Sequence, residues 1–148
     1  MKAVIQRVLS ASVFVDSEKI SSICRGLLIL LGVEKDDDPT DLDYLVKKTV
    51  VLRIFKDGDD NMNLSIQDIG GEVLVVSQFT LCADINNGRR PNFINAAPTK
   101  MADRMYQQYC KNLSSKGVPV QTGQFGAMMD VELVNDGPVT IILDSNDR

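Results

Sequence analysis

The chain opens with short apolar runs separated by polar and glycine positions. Segments 3–8, 12–15 and 26–33 are dominated by valine, isoleucine and leucine. β-Branched residues in short runs are typical of β-strands, and the Ser, Asp, Glu and Gly residues between them are typical of turns. We therefore predict three strands in the first third of the chain.

A helix is predicted to begin just after Asp38. Asp38 is a favourable N-cap, Pro39 suits the first helical position, and Asp41 falls in the first turn, where the helix dipole favours negative charge. The residues that then recur at helical spacing are Leu42, Leu45, Val46 and Thr49.

A second helix is predicted at about residues 99–115, because apolar residues fall on two adjacent stripes and Gly117 follows the last of them. Between the helices, segment 55–65 has the composition of a surface loop or hairpin, 71–81 is the best strand candidate, and 84–98 is a loop. Three further strand-like runs close the chain. Runs of strands with two separated helices predict an α+β fold with a largely antiparallel or mixed sheet.

The bulk composition is that of an ordinary folded domain. The 148 residues are 44% hydrophobic and 24% charged, so we expect residues 1–148 to form a single domain. The first apolar stretch is interrupted by Gln6, Arg7 and Ser10, and the longest apolar run, 26–33, is too short to cross a bilayer. We expect a soluble, cytoplasmic protein with no membrane partner.

Three cysteines, Cys24, Cys82 and Cys110, show no CxxC spacing. An odd number of cysteines without such spacing argues against a disulfide framework. We expect all three to be buried free thiols.

The net charge of −4 lowers the expectation of a nucleic-acid partner. It does not exclude one, since the acidic residues are concentrated in segments 34–43 and 57–60. The basic residues that could form a local face are Lys47, Lys48, Arg89, Arg90, Lys100, Arg104, Lys111 and Lys116.

The chain contains no histidine. This removes Ser-His-Asp and Cys-His catalysis and nearly all catalytic zinc sites. Glycine-rich phosphate-binding motifs are also absent, so we expect no cofactor and no metal. Carboxylates, lysines and tyrosines remain as acid/base candidates, but Asp130 and Glu132, two apart on a predicted strand, are interpreted as surface residues.

Three stretches stand out as candidate chemistry. In VSQFTL, residues 76–81, a buried strand becomes polar at its end; in NGRRPNF, residues 87–93, two arginines precede a proline and could grip phosphate. Gly137 and Pro138 lie between two strand-like runs, where a cis peptide bond would cost little. On spacing alone each has an ordinary explanation: a strand leaving the core, solvated loop charges, and a turn.

Together, these stretches closely resemble the D-aminoacyl-tRNA deacylases. The resemblance runs in the family's order from residue 2 to about residue 144 and includes AVIQRV, GLLILLGVEKDD, VSQFTL, NGRRPNF and segment 117–141. SQFTL and NDGPVT are specific to this family when they occur together.

The resemblance implies a homodimer with a curved, barrel-like sheet that hydrolyses the ester of D-amino acids misattached to the 3′ acceptor end of tRNA. It implies a pocket shared between subunits, with a cis Gly-Pro peptide that Arg7 helps to hold. The implied catalytic residues are Ser77, Gln78, Phe79 and Thr80. The implied substrate-binding residues are Leu81 and Arg7 with, from the other subunit, Gly137 and Pro138.

Under this hypothesis the Gly-Pro backbone excludes L side chains, so achiral glycyl-tRNA passes as a substrate. Backbone N–H groups near Phe79 and Thr80 would stabilise the oxyanion, and the terminal ribose 2′-hydroxyl of the tRNA would help activate water. Thr80 as a nucleophile is the rival, but the sequence offers no adjacent base, so we interpret Thr80 as a positioning group. Met128 and Met129 are expected to pack in the core or in a pocket wall.

Two alternatives remain open. One is a non-catalytic nucleic-acid-binding protein on the same fold, which would show salt-dependent affinity for unrelated RNA or DNA. The other is an esterase for small D-amino-acid esters, which would act on substrates that lack tRNA.

Overall fold

The computed structural model describes residues 1–86 and 88–148. In that part of the chain the elements are, in order, β1 (Lys2–Val15), β2 (Glu18–Ile23), β3 (Gly26–Gly32), α1 (Pro39–Val51), β4 (Phe55–Lys56), β5 (Met62–Leu64), β6 (Glu72–Ser77), α2 (Thr99–Ser115), β7 (Val120–Thr122) and β8 (Asp130–Asp144). Two short 3₁₀ turns, Phe79–Cys82 and Ser145–Asp147, follow β6 and β8.

The main sheet is mixed and strongly curved. Its order is β2-β1-β3-β6-β7, and β8 pairs with β1 along almost the whole strand. The pairs that β1 makes are antiparallel, whereas β3 with β6 and β6 with β7 are parallel. The predicted α+β class with a mixed, barrel-like sheet and two helices is therefore confirmed.

Two strand boundaries differ from the sequence prediction. Segments 3–8 and 12–15 form one strand, β1, and the two apolar runs on either side of Gly137 and Pro138 form one strand, β8. Register shifts between β1 and β8 interrupt the alternation of buried and exposed side chains, so each long strand looks like two in the sequence. Strand β2 was not predicted, because its segment EKISSI is largely polar.

The start of α1 is confirmed in detail. The Asp38 carboxylate accepts from the backbone N–H of Asp41 at 3.3 Å, and the Asp41 carboxylate accepts from the backbone N–H of Asp38 at 2.9 Å. These reciprocal bonds form a capping box, which satisfies backbone donors that a helix start leaves free. The buried residues of α1 include the predicted Leu42, Leu45, Val46 and Thr49.

Helix α2 covers one face of the sheet beside α1, and its bounds match the prediction. The buried Tyr109 hydroxyl lies 2.8 Å from the Thr49 hydroxyl of α1, and the Tyr106 hydroxyl donates to the Val75 carbonyl of β6 at 2.9 Å. Segment 55–65 forms the predicted hairpin. Among the described residues, none of the helices combines the length and apolarity needed to span a membrane.

A second apolar cluster fills the opposite face of the sheet, where the curved strands close over it. Its buried members are Val8, Ala11, Val13, Ile23, Leu28, Leu74 and Val76. Partly buried Leu30, Met129, Val131 and Leu133 pack against it. This face leads directly to the end of β6.

Candidate active site

The predicted SQFTL segment lies where β6 leaves the sheet. The strand is buried through Val76, ends at Ser77, and gives way to the 3₁₀ turn Phe79–Cys82. The Gln78 N–H donates to the Leu31 carbonyl at 2.8 Å, which fixes the turn against the end of β3. The segment therefore combines one buried strand end with an exposed turn, where the sequence predicted strand throughout.

Gly32 at the end of β3 allows this turn to pack closely. A Cβ atom at Gly32 would lie 3.0 Å from the Leu81 Cβ and 3.1 Å from the Gln78 carbonyl oxygen. The Leu81 side chain packs towards Gly32, so it supports the turn from behind. Its predicted role in binding substrate stays a prediction.

A cavity of about 520 Å³ opens beside the turn. It is lined by Val76, Ser77, Gln78, Phe79, Thr80, Thr99, Phe125, Gly126, Ala127, Met128, Met129 and Val131. Every one of these side chains is neutral, and most are apolar. All four predicted catalytic residues are thus brought to one cavity, where the polar groups of the lining are hydroxyl, amide and backbone groups.

The polar groups of the turn are connected. The Gln78 side-chain amide donates to the Thr80 hydroxyl oxygen, which leaves the hydroxyl hydrogen of Thr80 to be donated elsewhere. Within the 3₁₀ turn, the first backbone N–H to donate is that of Leu81, which donates to the Gln78 carbonyl at 3.2 Å. The N–H groups of Phe79 and Thr80 come earlier in the chain and therefore have no partner within the turn. Neither of these two N–H groups bonds to another described residue. The turn that lines the cavity therefore has two backbone N–H donors without a partner among the described residues.

Phe93 joins the site from loop 84–98. Its ring meets the Phe79 ring edge-on, with 4.9 Å between the ring centroids. Arg89 and Arg90 of the NGRRPNF motif are exposed, and Asn87, its first residue, lies outside the described residues. Phe93 therefore packs against Phe79, which lines the cavity, a contact that sequence reasoning did not predict.

The cavity is also lined by residues that sequence reasoning did not single out, namely Thr99, Phe125, Gly126, Ala127 and Val131. Gly123 allows the 123–129 segment to fold closely on itself, since a Cβ at this position would lie 2.8 Å from the Met129 sulfur. Met129 packs against the second apolar cluster, as expected, whereas Met128 is 92% exposed at the cavity.

The second predicted part of the site is a loop inside β8. One residue of β1, Arg7, faces four residues of β8, because Val8 pairs with Asn135 and Gln6 pairs with Thr140. Three extra residues, Asp136, Gly137 and Pro138, therefore protrude from the ladder as a loop, and Val139 is buried again. Gly137 and Pro138 are exposed, and the peptide bond between them is cis, as the resemblance implied.

Arg7 supports this loop from beneath. Its side chain is buried, its Nε donates to the Asp136 carbonyl at 3.0 Å, and its Nη1 donates to the Ile54 carbonyl at 2.5 Å. A Cβ at Gly137 would lie 2.9 Å from the Arg7 guanidinium, and Gly137 has a φ of +135°. A larger residue than glycine therefore fits poorly at position 137.

The two parts of the predicted site do not meet within one chain. The strand register gives the distance between them. Ser77 of β6 lies beside Leu31 of β3, which lies beside Ala3 of β1. Arg7, which lies under the Gly137–Pro138 loop, is four residues further along β1 than Ala3. Four strand residues correspond to about 13 Å along the strands, and β6 and β1 are about 10 Å apart across the sheet. The Gly137–Pro138 loop therefore does not line the Phe79 cavity of its own chain.

The three cysteines are free. Burial raises the pKa of Cys82 to about 11 and that of Cys110 to about 12, so both remain protonated thiols near neutral pH. The prediction that all three are buried was wrong for Cys24, which is exposed just beyond the end of β2. Cys82 lies in the turn beside the site, but a protonated thiol is not a nucleophile.

Asp130 and Glu132 are both exposed, which confirms the surface interpretation. Among the basic residues that could form a local face, Lys47 and Lys116 line the same groove, of about 580 Å³, between the two helices. Arg104 lines a neighbouring groove with Asp43. Within residues 1–86 and 88–148, no group of three or more cysteine, aspartate or glutamate side chains is arranged to hold a metal ion.

Known proteins resemble this chain over its full length. The family model described as D-Tyr-tRNA(Tyr) deacylase matches residues 4–144. A D-aminoacyl-tRNA deacylase from Clostridioides difficile (strain 630) is 57% identical, covering 99% of this chain and 98% of the relative. One from Desulfatibacillum aliphaticivorans is 51% identical over 98% of this chain and 99% of the relative.

Two solved structures have the same fold as this chain. A structure described as a c-Myc DNA Unwinding Element Binding Protein superposes with a TM-score of 0.93 at 42% identity, covering 97% of this chain and 98% of that one. A probable eukaryotic D-amino acid tRNA deacylase superposes with a TM-score of 0.79 at 18% identity, covering 96% and 97%, which bears on the fold alone.

The family model and the relatives confirm the predicted resemblance to a family of tRNA-editing hydrolases, and the fold agrees with it. This chain belongs to the D-Tyr-tRNA(Tyr) deacylase family.

Proposed function

We propose that this protein hydrolyses the ester bond of D-aminoacyl-tRNA and releases the free D-amino acid and the free tRNA. The observation that carries the proposal is the neutral cavity formed by the SQFTL turn, in a chain 57% identical to a named D-aminoacyl-tRNA deacylase. An aminoacyl ester is already reactive, so its hydrolysis demands less of the protein than that of an amide, which is compatible with a chain that has no histidine.

The proposal includes a homodimer, because the Gly137–Pro138 loop reaches a Phe79 cavity only if another subunit supplies it. An apolar row supports this arrangement. Four apolar side chains lie side by side across four neighbouring strands, in the order Ile142, Val4, Leu30 and Val76. Their exposure to solvent rises from Val76, which is buried at the cavity, to Ile142, which is 73% exposed. Such a row, open to solvent in one chain, is suited to burial against a second copy.

A subunit-mixing experiment tests the shared site. Ala127→Trp fills the cavity of its own subunit, and Gly137→Ala disturbs the loop that the subunit lends to its partner. Each variant alone is expected to be inactive, whereas an equal mixture of re-associated subunits regains about a quarter of the wild-type activity. No recovery in a mixture shown to contain hybrid dimers contradicts a shared site.

In the proposed selection step, the exposed backbone of Gly137 and Pro138 lies against the α-carbon of the substrate. A hydrogen fits at this position and an L side chain does not, so selectivity arises from exclusion. Backbone selection accounts for glycine at position 137, where a side chain would also collide with Arg7. Glycyl-tRNA, which has no side chain to exclude, is therefore a substrate under this proposal.

In the proposed chemical step, the N–H groups of Phe79 and Thr80 stabilise the oxyanion that forms when water attacks the ester. One oriented oxyanion donor is worth about 2.7 to 4 kcal/mol, and correct positioning of the water contributes several more. The 2′-hydroxyl of the terminal ribose helps to activate the water. The neutral lining of the cavity leaves general-base work to the substrate itself.

Thr80 acts in this proposal as a hydrogen-bond donor. A nucleophilic threonine needs an adjacent base, and the group nearest its hydroxyl is the Gln78 amide, which donates to it. Gln78 therefore orients Thr80, and Ser77 completes the polar edge of the cavity.

A nucleic-acid-binding protein without hydrolysis is the second candidate, because the solved structure that is 42% identical is described as a DNA Unwinding Element Binding Protein. The two functions are separated by incubating the protein with D-tyrosyl-tRNA, with D-tyrosine ethyl ester and with unrelated duplex DNA. Deacylation of the tRNA with little activity on the small ester supports the deacylase. Salt-dependent binding of unrelated DNA with no deacylation supports the binding protein.

A further inference from the structure

One side chain, that of Asn135, forms hydrogen bonds across the base, or neck, of the protruding loop of β8. The Asn135 amide oxygen accepts from the backbone N–H of Val139 at 2.8 Å, and its amide nitrogen donates to the Thr140 hydroxyl at 3.1 Å. The Gln6 amide of β1 donates to the same hydroxyl at 3.3 Å. Asn135, the residue before the loop, is therefore bonded to Val139 and Thr140, the two residues at which β8 returns to the ladder.

The two ends of the loop are held by different residues. Arg7 bonds the incoming end, through the carbonyl of Asp136, and forms an ion pair with the Asp136 carboxylate at 3.2 Å. The outgoing end, at Val139, is held by Asn135. Val139 is only 8% exposed, so its N–H would be left without a partner in a largely buried position if Asn135 were shortened.

We propose that Asn135 is a positioning residue for substrate selection, and that it fixes how far Gly137 and Pro138 protrude. This inference rests on the proposed function, since protrusion matters only where the loop excludes L side chains. Without Asn135 the Val139 N–H loses its partner and the outgoing end is held only from Thr140 onwards, so a displacement of a fraction of an ångström opens space beside the substrate α-carbon. Arg7 alone does not prevent this, because its bonds lie on the other side of Gly137.

Three variants separate the two bonds of Asn135. Asn135→Ala removes both, Asn135→Asp keeps the oxygen that accepts from Val139, and Thr140→Val removes the anchor of the amide nitrogen. Glu132→Ala, at an exposed position of the same strand, is the matched control. Two quantities are measured for each variant and the wild type: the ratio of D-tyrosyl- to L-tyrosyl-tRNA deacylation, and the hydrogen-exchange rate of the Val139 amide.

We expect Asn135→Ala, which removes both hydrogen bonds, to lower the D-to-L ratio at least about tenfold and to speed Val139 exchange. Asn135→Asp and Thr140→Val each lose the bond of the amide nitrogen and keep the acceptor of the Val139 N–H, so each is expected to lose about threefold in the ratio with little change in Val139 exchange, and the control to match the wild type. A purely structural residue would lower the melting temperature and leave the ratio unchanged. That result for Asn135→Ala, or for Thr140→Val if Asn135→Ala does not fold, overturns the proposal.

The exchange measurement keeps this proposal distinct from the proposed function. If the wild type cleaves no aminoacyl-tRNA, the proposed function fails. The positioning role then fails with it as a role in selection, while Val139 exchange still reports whether Asn135 closes the neck. If the wild type is selective and Val139 exchange is unaffected by Asn135→Ala, only the positioning role fails.

Discussion

The close packing of the SQFTL turn on Gly32 predicts that one added methyl group there will reduce activity. In Gly32→Ala the new Cβ would lie 3.0 Å from the Leu81 Cβ, 3.1 Å from the Gln78 carbonyl oxygen and 3.3 Å from the Cys82 sulfur. The turn must move by a few tenths of an ångström to restore ordinary contacts. It cannot move towards β3, where the Gln78 N–H is bonded, so it is displaced into the cavity.

The expected magnitude follows from these contacts. Overpacking of this kind costs about 1 to 3 kcal/mol, which corresponds to a fall in melting temperature of roughly 3 to 10 °C for a chain of this size. A misplacement of 1 Å lowers catalysis about a hundredfold, so a shift of a few tenths of an ångström is expected to lower kcat by about threefold to tenfold. Gly58→Ala, with no atom within 4 Å of the new Cβ, is the matched control and should be stable and active.

The assay is single-turnover deacylation of D-tyrosyl-tRNA together with thermal unfolding of the same samples. The temperature is chosen so that all three proteins remain folded, because loss of activity must not reflect unfolding. A Gly32→Ala protein with the wild-type rate and the wild-type melting temperature would refute the argument that Gly32 sets the position of the turn.

Three further predictions follow from single groups. Thr80→Ala should lose about tenfold in rate if Thr80 only donates a hydrogen bond, and near-complete loss in single-turnover kinetics would instead indicate a nucleophile. A maleimide at pH 8 should label one thiol, Cys24, in the folded protein, since the other two are buried with pKa values of about 11 and 12; rapid labelling of three thiols would contradict the structure. Hydrogen bonds from the Thr40 hydroxyl and backbone lower the pKa of Asp38 in the folded protein. The ionised Asp38 therefore stabilises the fold above about pH 4, its pKa in the unfolded chain, and this contribution is lost as the pH falls through the lower pKa of the folded state. The gap in melting temperature between wild type and Asp38→Ala should therefore narrow on acidification, and a gap that widens would contradict this sign.

Local signals in the sequence were sufficient for much of the fold. The capping residues Asp38 and Pro39 fixed the start of α1, and apolar periodicity located α2 and β6. Strand β2 was missed because its stability comes from pairing with β1 and not from its own polar composition. The long strands β1 and β8 looked interrupted because register shifts between them are a tertiary property.

The candidate site was predicted from the sequence as a set of residues and not as an arrangement. The family motif identified Ser77, Gln78 and Thr80, which the structure places in one cavity. The contact between Phe79 and Phe93 joins two segments that no local pattern relates. Likewise, the separation of the cavity from the Gly-Pro loop becomes evident only from the strand register, which is why a second subunit enters the proposal.

The most direct test of the central claim is the deacylation rate of the purified protein on D-tyrosyl-, L-tyrosyl- and glycyl-tRNA, prepared in parallel and measured at one salt concentration. We predict that the D-tyrosyl and glycyl esters are cleaved and the L-tyrosyl ester is spared. Cleavage of the D-tyrosyl ester without the glycyl ester would contradict selection by exclusion. Cleavage of none of the three by a folded dimer would contradict the deacylase function itself.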